Sequence, residues 1–395
     1  MPDLKIARNV HFPDALRIAR AKSLPNLGPR LLFFSGGSAL NGISRRLKYY
    51  THNSCHLITP FDSGGSSQVL REAFDMPAVG DLRSRLMALA DETELGQPDI
   101  FQLFTYRFSK EAKNRDLENE FASVLSGEHD LMHAVSQPMR SLILSQLRVF
   151  AQHKPDDFCL KGASLGNLIL AGGYLANERA LEPVLFLMSK MVAVQGTVRS
   201  IVDRNLDLGA RLADGTTIVG QRQITGKEVA PISSPIEDLY FVQNGEAIAG
   251  KDVKLPKRNR KHIEHADLIC YPPGSLYTSV IANLLPRETG RTIARQGVPK
   301  VYIPSLGQDP ECVGMDLSDR VTALLKTLCL DAGADCRASD LISAVICDQD
   351  AVDASELKDM SKTHNIPYVA LPLRHKSEME KYNPERVCDA LLSLI

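Results

Sequence analysis

The stretch from Tyr271 to Leu285, YPPGSLYTSVIANLL, decides the fold. Upstream of it, ADLIC (266–270) reads as a short buried strand. The Pro272-Pro273-Gly274 turn then releases the chain into an apolar-periodic helix whose first turn carries Ser275, Leu276, Tyr277, Thr278 and Ser279. The first N–H groups of a helix have no intrahelical partner and carry partial positive charge. Small hydroxyl residues on a Gly-permitted turn there can complete a phosphate cradle. An ordinary helix cap is the plainer reading of Pro-Gly-Ser. The ligand reading gains weight because the chain builds the same device twice more.

The first repetition is RLLFFSGGSALNGISRRLKYY (30–50), where an apolar strand runs into Ser35, Gly36, Gly37 and Ser38 before a basic amphipathic helix. The spacing is neither GxGxxG nor a Walker A sequence, so the common dinucleotide and P-loop assignments fail. The second is CHLITPFDSGGSSQVLREAF (55–74), in which a strand is expected to end at Asp62, followed by Ser63, Gly64, Gly65, Ser66 and Ser67. Three small-residue loops leaving strand ends would converge on one edge of a parallel sheet, where open α/β folds bind ligands.

Strands and helices alternate again from Ala266 to the C-terminus through KVYIPSL, SAVIC, IPYVALP and VCDALLSLI. This is the layout of an α/β, Rossmann-like, doubly wound and mostly parallel sheet with helices on both faces. Residues 1–29 read as a basic N-terminal extension and 30–395 as a single domain. Between Gly80 and Lys154 the apolar spacing is helical, with Asp81 suited to an N-cap. From about 190 to 248 apolar and polar residues alternate around Asp214-Gly215, which predicts an antiparallel β insertion. The basic run KDVKLPKRNRKHIEH (251–265) reads as a solvated linker.

The 395 residues are 44% hydrophobic and nearly balanced in charge, with 46 Lys plus Arg against 47 Asp plus Glu. No bulk polycation for nucleic acid or an anionic membrane exists. The eight cysteines fall at irregular separations, and several sit inside apolar runs, so disulfides and a zinc site are not expected. The histidines form no HxxxH or HExxH. No run approaches the roughly 18 apolar residues of a membrane span, and the N-terminus lacks a signal-type apolar core, which places the chain in the cytoplasm by expectation.

The ordered strings SGGSALN, FDSGGSS, AVGDLR, GASLGN, PPGSLYTS and QDPECVGMDLSDRV resemble the superfamily of 2-phospho-L-lactate transferase and the bacterial gluconeogenesis factor, the CofD-like and YvcK-like proteins. The match is nearer to the gluconeogenesis-factor branch. The resemblance implies a nucleotide diphosphate or nucleotide sugar bound at the strand ends. It implies ligand contacts from Ser35, Gly36, Gly37, Ser38 and Asn41, from Gly64 to Ser67, from Asp81 and Arg83, from Ser164, Gly166 and Asn167, and from Gly274 to Ser279. Asp62 matches the first acid of a paired-aspartate motif and is the candidate Mg²⁺ ligand and catalytic group, with nucleotide phosphates supplying further oxygens. The chain departs from the pattern where Ser35 and Ala39 replace glycines, Ser63 replaces the second aspartate, Ala163 replaces a histidine and Met315 an aromatic residue. Three functions follow as expectations: a nucleotide-binding metabolic sensor, a phospho-acyl transferase from a guanosine diphosphate donor to a deazaflavin acceptor, or a non-catalytic interaction subunit. A homo-oligomer stays open.

Overall fold

Seven strands form one parallel sheet in the computed structural model, which describes residues 9–93, 95–226, 229–333 and 335–395. The strands of this sheet are β1 (Leu31–Ser35), β2 (Cys55–Ile58), β3 (Thr197–Ser200), β8 (Leu268–Tyr271), β9 (Lys300–Tyr302), β10 (Ala344–Asp348) and β11 (Tyr368–Leu371). Their spatial order is β11-β10-β9-β8-β1-β2-β3, and every neighbouring pair is parallel. The winding reverses between β1 and β8. Crevices at such a switch point, beyond the carboxyl ends of the strands, are where open α/β sheets hold ligands. The loops leaving β1 and β8 are the first and third of the three small-residue loops, and the second leaves β2 beside them.

Both faces of β1 are covered, which explains its unbroken apolar run. Leu31 and Phe33 face a core shared with helices α1 (Ala15–Ser23), α2 (Asn41–Leu47) and the C-terminal helix Pro384–Ser393. Leu32 and Phe34 face the opposite core. The predicted N-terminal extension is thus partly built into the fold: the Asp14 N–H donates to Ser393 Oγ at 2.8 Å and Ala21 is buried. Residues 1–8 of that extension lie outside the described residues.

Helices α3 (Gly65–Phe74) and α4 (Gly80–Leu89) open the long crossover from β2 to β3, and the helices that follow pack around a core of their own, including Phe104, Phe121 and Phe150. Alternation between Asp207 and Ile248 becomes a separate antiparallel sheet of order β5-β4-β6-β7, formed by β4 (Asp207–Leu212), β5 (Thr217–Val219), β6 (Ile236–Gln243) and β7 (Glu246–Ile248). Asp214 and Gly215 turn β4 into β5, with Gly215 at φ +86°. The expected start of this insertion near 190 is corrected, because β3 pairs in parallel with β2 and belongs to the main sheet. Arg71 of α3 docks the insertion: it is buried, donates to Asn205 Oδ1 and the Leu206 carbonyl, and pairs with Asp207 at 2.8 Å.

The basic run is likewise corrected from a linker to structure. Residues Lys257–Glu264 form a helix that buries Asn259 and Ile263 while its lysines stay in water. Asn259 Nδ2 donates to the carbonyls of Ser200 and Ile201 at 2.7 and 3.0 Å, and its Oδ1 accepts from Arg199 Nε at 2.7 Å. One amide side chain therefore satisfies the backbone where β3 ends. Replacing it leaves buried partners unmet, so Asn259→Ala is expected to lower the unfolding free energy by about 2 kcal/mol in denaturant titrations. No described helix is long and apolar enough to cross a membrane.

Candidate functional site

The loop after β1 lies against the loop after β8. A Cβ on Gly36 would stand 2.3 Å from Thr59 Oγ1 and 3.1 Å from Ser279 Oγ, so only glycine lets the two backbones pass. Asn283 Nδ2 donates to the Ser35 carbonyl at 3.1 Å and closes the same contact from behind. Gly37 takes φ +56° and its N–H donates to Asp81 Oδ2 at 2.7 Å, which ties this loop to the start of α4. Asn41 Nδ2 donates to Ser84 Oγ at 2.8 Å, one turn further along α4.

Beneath the loop, Arg85 is fully buried and makes no ion pair among the described residues. It donates to Ser44 Oγ at 2.8 Å and to the Gly37 carbonyl at 3.3 Å. Burial pulls its pKa down to about 9, against the upward pull of Asp81. His56 stacks on Phe33 with ring centroids 5.0 Å apart, and burial together with Arg85 holds its pKa well below the ordinary value, so the imidazole is neutral.

The helix expected from Ser275 is shorter than its sequence pattern. Leu276–Val280 form a single π turn and Ile281–Asn283 a 3₁₀ turn. Its free amides are already met by the chain itself. The Leu276 N–H donates to Asp309 Oδ2 at 2.8 Å, and the N–H groups of Tyr277 and Thr278 both donate to Glu311 Oε2, at 2.8 and 2.9 Å. Thr278 Oγ1 bonds the other Glu311 oxygen, and the Gly274 N–H donates to Ser305 Oγ. The acceptor at this helix start is thus an internal carboxyl group. Burial first, and Asp309 second, raise the Glu311 pKa to about 7.

The second loop differs. Strand β2 stops at Ile58 rather than at Asp62, so Asp62 sits in an irregular turn, where its Oδ1 accepts from the Gly64 N–H at 3.0 Å. Ser63 is committed to the short helix Gln221–Thr225 of the insertion: its Oγ accepts from the Arg222 N–H at 2.8 Å, and its own N–H donates to Gln221 Oε1 at 3.4 Å. A Cβ on Gly80 would stand 2.4 Å from Ser67 Oγ and 3.4 Å from Asp62 Oδ2, so α4 begins directly against this loop.

Asp62, Gly64, Gly65, Ser66, Ser67, Gly80, Asp81, Arg83 and Asn167 line one cavity of about 210 Å³ together with Ser84 and Arg107. Here the second loop, the GDLR segment and the GASLGN segment meet. Arg83 Nε donates to Asn167 Oδ1 at 2.8 Å, and Asn167 Nδ2 donates to Ser66 Oγ at 3.2 Å, a chain that fixes all three side chains. Burial, and then the neighbouring Arg107, lower the Arg83 pKa to about 10. Ser164 is buried behind this chain, and Gly166 is a packing glycine, its would-be Cβ 2.5 Å from the Phe104 carbonyl. Ser35 to Ser38, Asn41 and Gly274 to Ser279 do not line the cavity; the β1 loop reaches it through the Gly37–Asp81 bond.

Arg107 has no motif around it in the sequence. It arrives because its backbone bridges to Ser164, and Arg107 Nη1 donates to the Gly162 carbonyl at 3.1 Å. Among the described residues no group of three or more His, Cys, Asp or Glu side chains could hold a metal. Two carboxylates, Asp62 and Asp81, face the cavity, a donor set that suits Mg²⁺ only when ligand phosphates complete it.

A doubly wound parallel sheet, with a polar cleft of two aspartates and two arginines close to its switch point, defines the class of this α/β protein. The chain belongs to the CofD family: a sequence model of 2-phospho-L-lactate transferase CofD matches residues 31–383. A protein of Thermoanaerobacterium thermosulfurigenes, provisionally named a gluconeogenesis factor, is 31% identical over 301 residues, covering 75% of this chain and 74% of its own. The gluconeogenesis factor of Bacillus subtilis is 29% identical over 299 residues, covering 75% and 74%. Some relatives are longer, and the chain spans about half (53%) of that from Clostridium acetobutylicum. A crystal structure of a UPF0052-family protein from Bacillus halodurans superposes with a TM-score of 0.67 at 23% identity, over 92% of this chain and 99% of that one, a likeness of fold.

Proposed function

We propose that this chain binds a nucleoside diphosphate or a nucleotide sugar in the 210 Å³ cavity and acts as a metabolic sensor or regulator, in line with relatives named gluconeogenesis factors. The observation that carries the reading is the pairing of Arg83 and Arg107, neither of them in an ion pair among the described residues, with the amino-terminal turn of α3 at Gly65–Ser67. Two guanidinium groups and the first helix amides, those of Gly65 and Ser66, suit a diphosphate, while the Ser67 N–H is taken by the Gly64 carbonyl. Asp62 and Asp81 are the residues that would hold Mg²⁺ across the phosphates, and the ion would neutralise their charge.

A transferase is the second reading, favoured by those two carboxylates. Sensor function is favoured by Ser63, whose hydroxyl is spent on the Arg222 N–H and by Ala163, which has no proton to move. A thermal-shift screen of UDP-sugars, GDP, GMP and ATP with and without Mg²⁺ separates ligand classes. A ligand at 100 times its Kd stabilises the native state by about 2.7 kcal/mol. Mg²⁺ is expected to bind weakly alone and better with nucleotide, and Asp62→Asn to remove most of that gain. Incubation with a guanosine diphospho-lactyl donor, a deazaflavin acceptor and Mg²⁺ is expected to release no GMP; release that falls about 100-fold or more in Asp62→Ala would establish the transferase instead.

A further inference from the structure

A larger cavity of about 320 Å³ adjoins the cleft and shares Gly65, Ser66 and Arg107 with it. Its rim carries Arg107, Lys110 and Lys161, and no aspartate or glutamate lines it. None of these three cations makes an ion pair among the described residues. Lys110 is laid along the wall: the position of a Cβ on Gly162 is 3.1 Å from its Cγ and 3.3 Å from its Cε, so the stem packs on bare backbone. The floor is apolar, formed by Val69, Leu70 and Phe158, with the small Ala163 beside them. Three uncompensated positive charges around a partly apolar hollow raise the local concentration of anions and fit a multiply charged one best. A neutral sugar or a single carboxylate would leave at least two of the charges unmet.

We propose that this second cavity binds a small polycarboxylate, an organic acid bearing two or three carboxylates, as a ligand distinct from the nucleotide. Arg107 belongs to both cavities, so the two anions compete for one guanidinium and each weakens the other. By linkage the effect is reciprocal. The chain would then report the balance between an acidic metabolite and a nucleotide rather than the level of either.

Citrate and tricarballylate are the probes, titrated calorimetrically into the full chain against sodium chloride of matched ionic strength, with glycerol as the neutral control. At least one acid is expected to bind saturably, and Lys110→Gln/Lys161→Gln to weaken it about tenfold or more, since two charge-assisted hydrogen bonds are lost together. Both lysines are exposed, so the double variant should keep its melting temperature and its affinity for nucleoside diphosphate. Saturating GDP or UDP is expected to raise the Kd of the acid severalfold. Binding no better than in the salt control, or unchanged in the double variant, overturns the second site. Those outcomes leave the nucleotide cavity standing, because GDP and UDP are titrated separately into the same protein.

Discussion

Glu311→Ala is expected to lower the unfolding free energy by about 3–5 kcal/mol, the cost of stranding buried partners of a removed carboxylate. The Tyr277 N–H, the Thr278 N–H and Thr278 Oγ1 all turn to this one side chain, and Glu311 is fully buried. Glu311→Gln keeps an oxygen for the two amides and supplies an N–H to the threonine hydroxyl, so it should cost far less. Acidity separates the two variants further. Burial and Asp309 raise the Glu311 pKa to about 7, above the roughly 4.3 of an unfolded chain, so folding favours the protonated form. The stability this group adds is full below about pH 4 and fades as pH rises through 7. Denaturant titrations from pH 5 to 8 should therefore show stability falling in the native chain and a flatter profile in Glu311→Gln. Equal profiles would show that the carboxyl stays ionised throughout.

The same carboxylate shows why part of the site was legible in sequence and part was not. Short apolar runs ending in Gly and Ser announced the strands and their loops, because buried parallel strands and tight turns each have a local composition. The pairing order did not show, since nothing local says that β8 lies beside β1. Nor did it show that the amides after Gly274 were already filled, because Asp309 and Glu311 are more than thirty residues away. Alternation placed the insertion but began it too early: a half-buried edge strand such as β3 alternates as an antiparallel strand does. The basic run 251–265 averaged to a loop because only Asn259 and Ile263 of its helix point inward. Among the site residues, the glycine and serine positions and Arg83 could be read from motifs. Arg107, Lys110 and Lys161 could not, as they meet only through the bridge between Arg107 and Ser164.

Arg107 is therefore the residue whose change tests the site most directly. It is exposed, and its side chain donates to one backbone carbonyl, so Arg107→Glu should leave the fold within about 0.5 kcal/mol of the native chain. At the cavity the change removes a charge-assisted hydrogen bond of about 1.5–3 kcal/mol and places a carboxylate where phosphate oxygens would lie. Affinity for a nucleoside diphosphate should fall about 100-fold or more, which corresponds to roughly 2.7 kcal/mol. Arg107→Lys keeps the charge without the two-pronged geometry and should lose less. The neighbouring guanidinium gives an independent signal, because burial first and Arg107 second hold the Arg83 pKa down. With a carboxylate in its place, Arg83 acquires a counter-ion, and any anion must displace that contact before it binds. Salt then distinguishes the variants: the native site should weaken as ionic strength rises, while Arg107→Glu, with its cleft partly neutralised, should respond less. Calorimetry with GDP and UDP at two salt concentrations reads both effects. Native-like affinity in a folded Arg107→Glu protein would move the diphosphate out of this cavity and back towards the loop at Gly36 and Gly37.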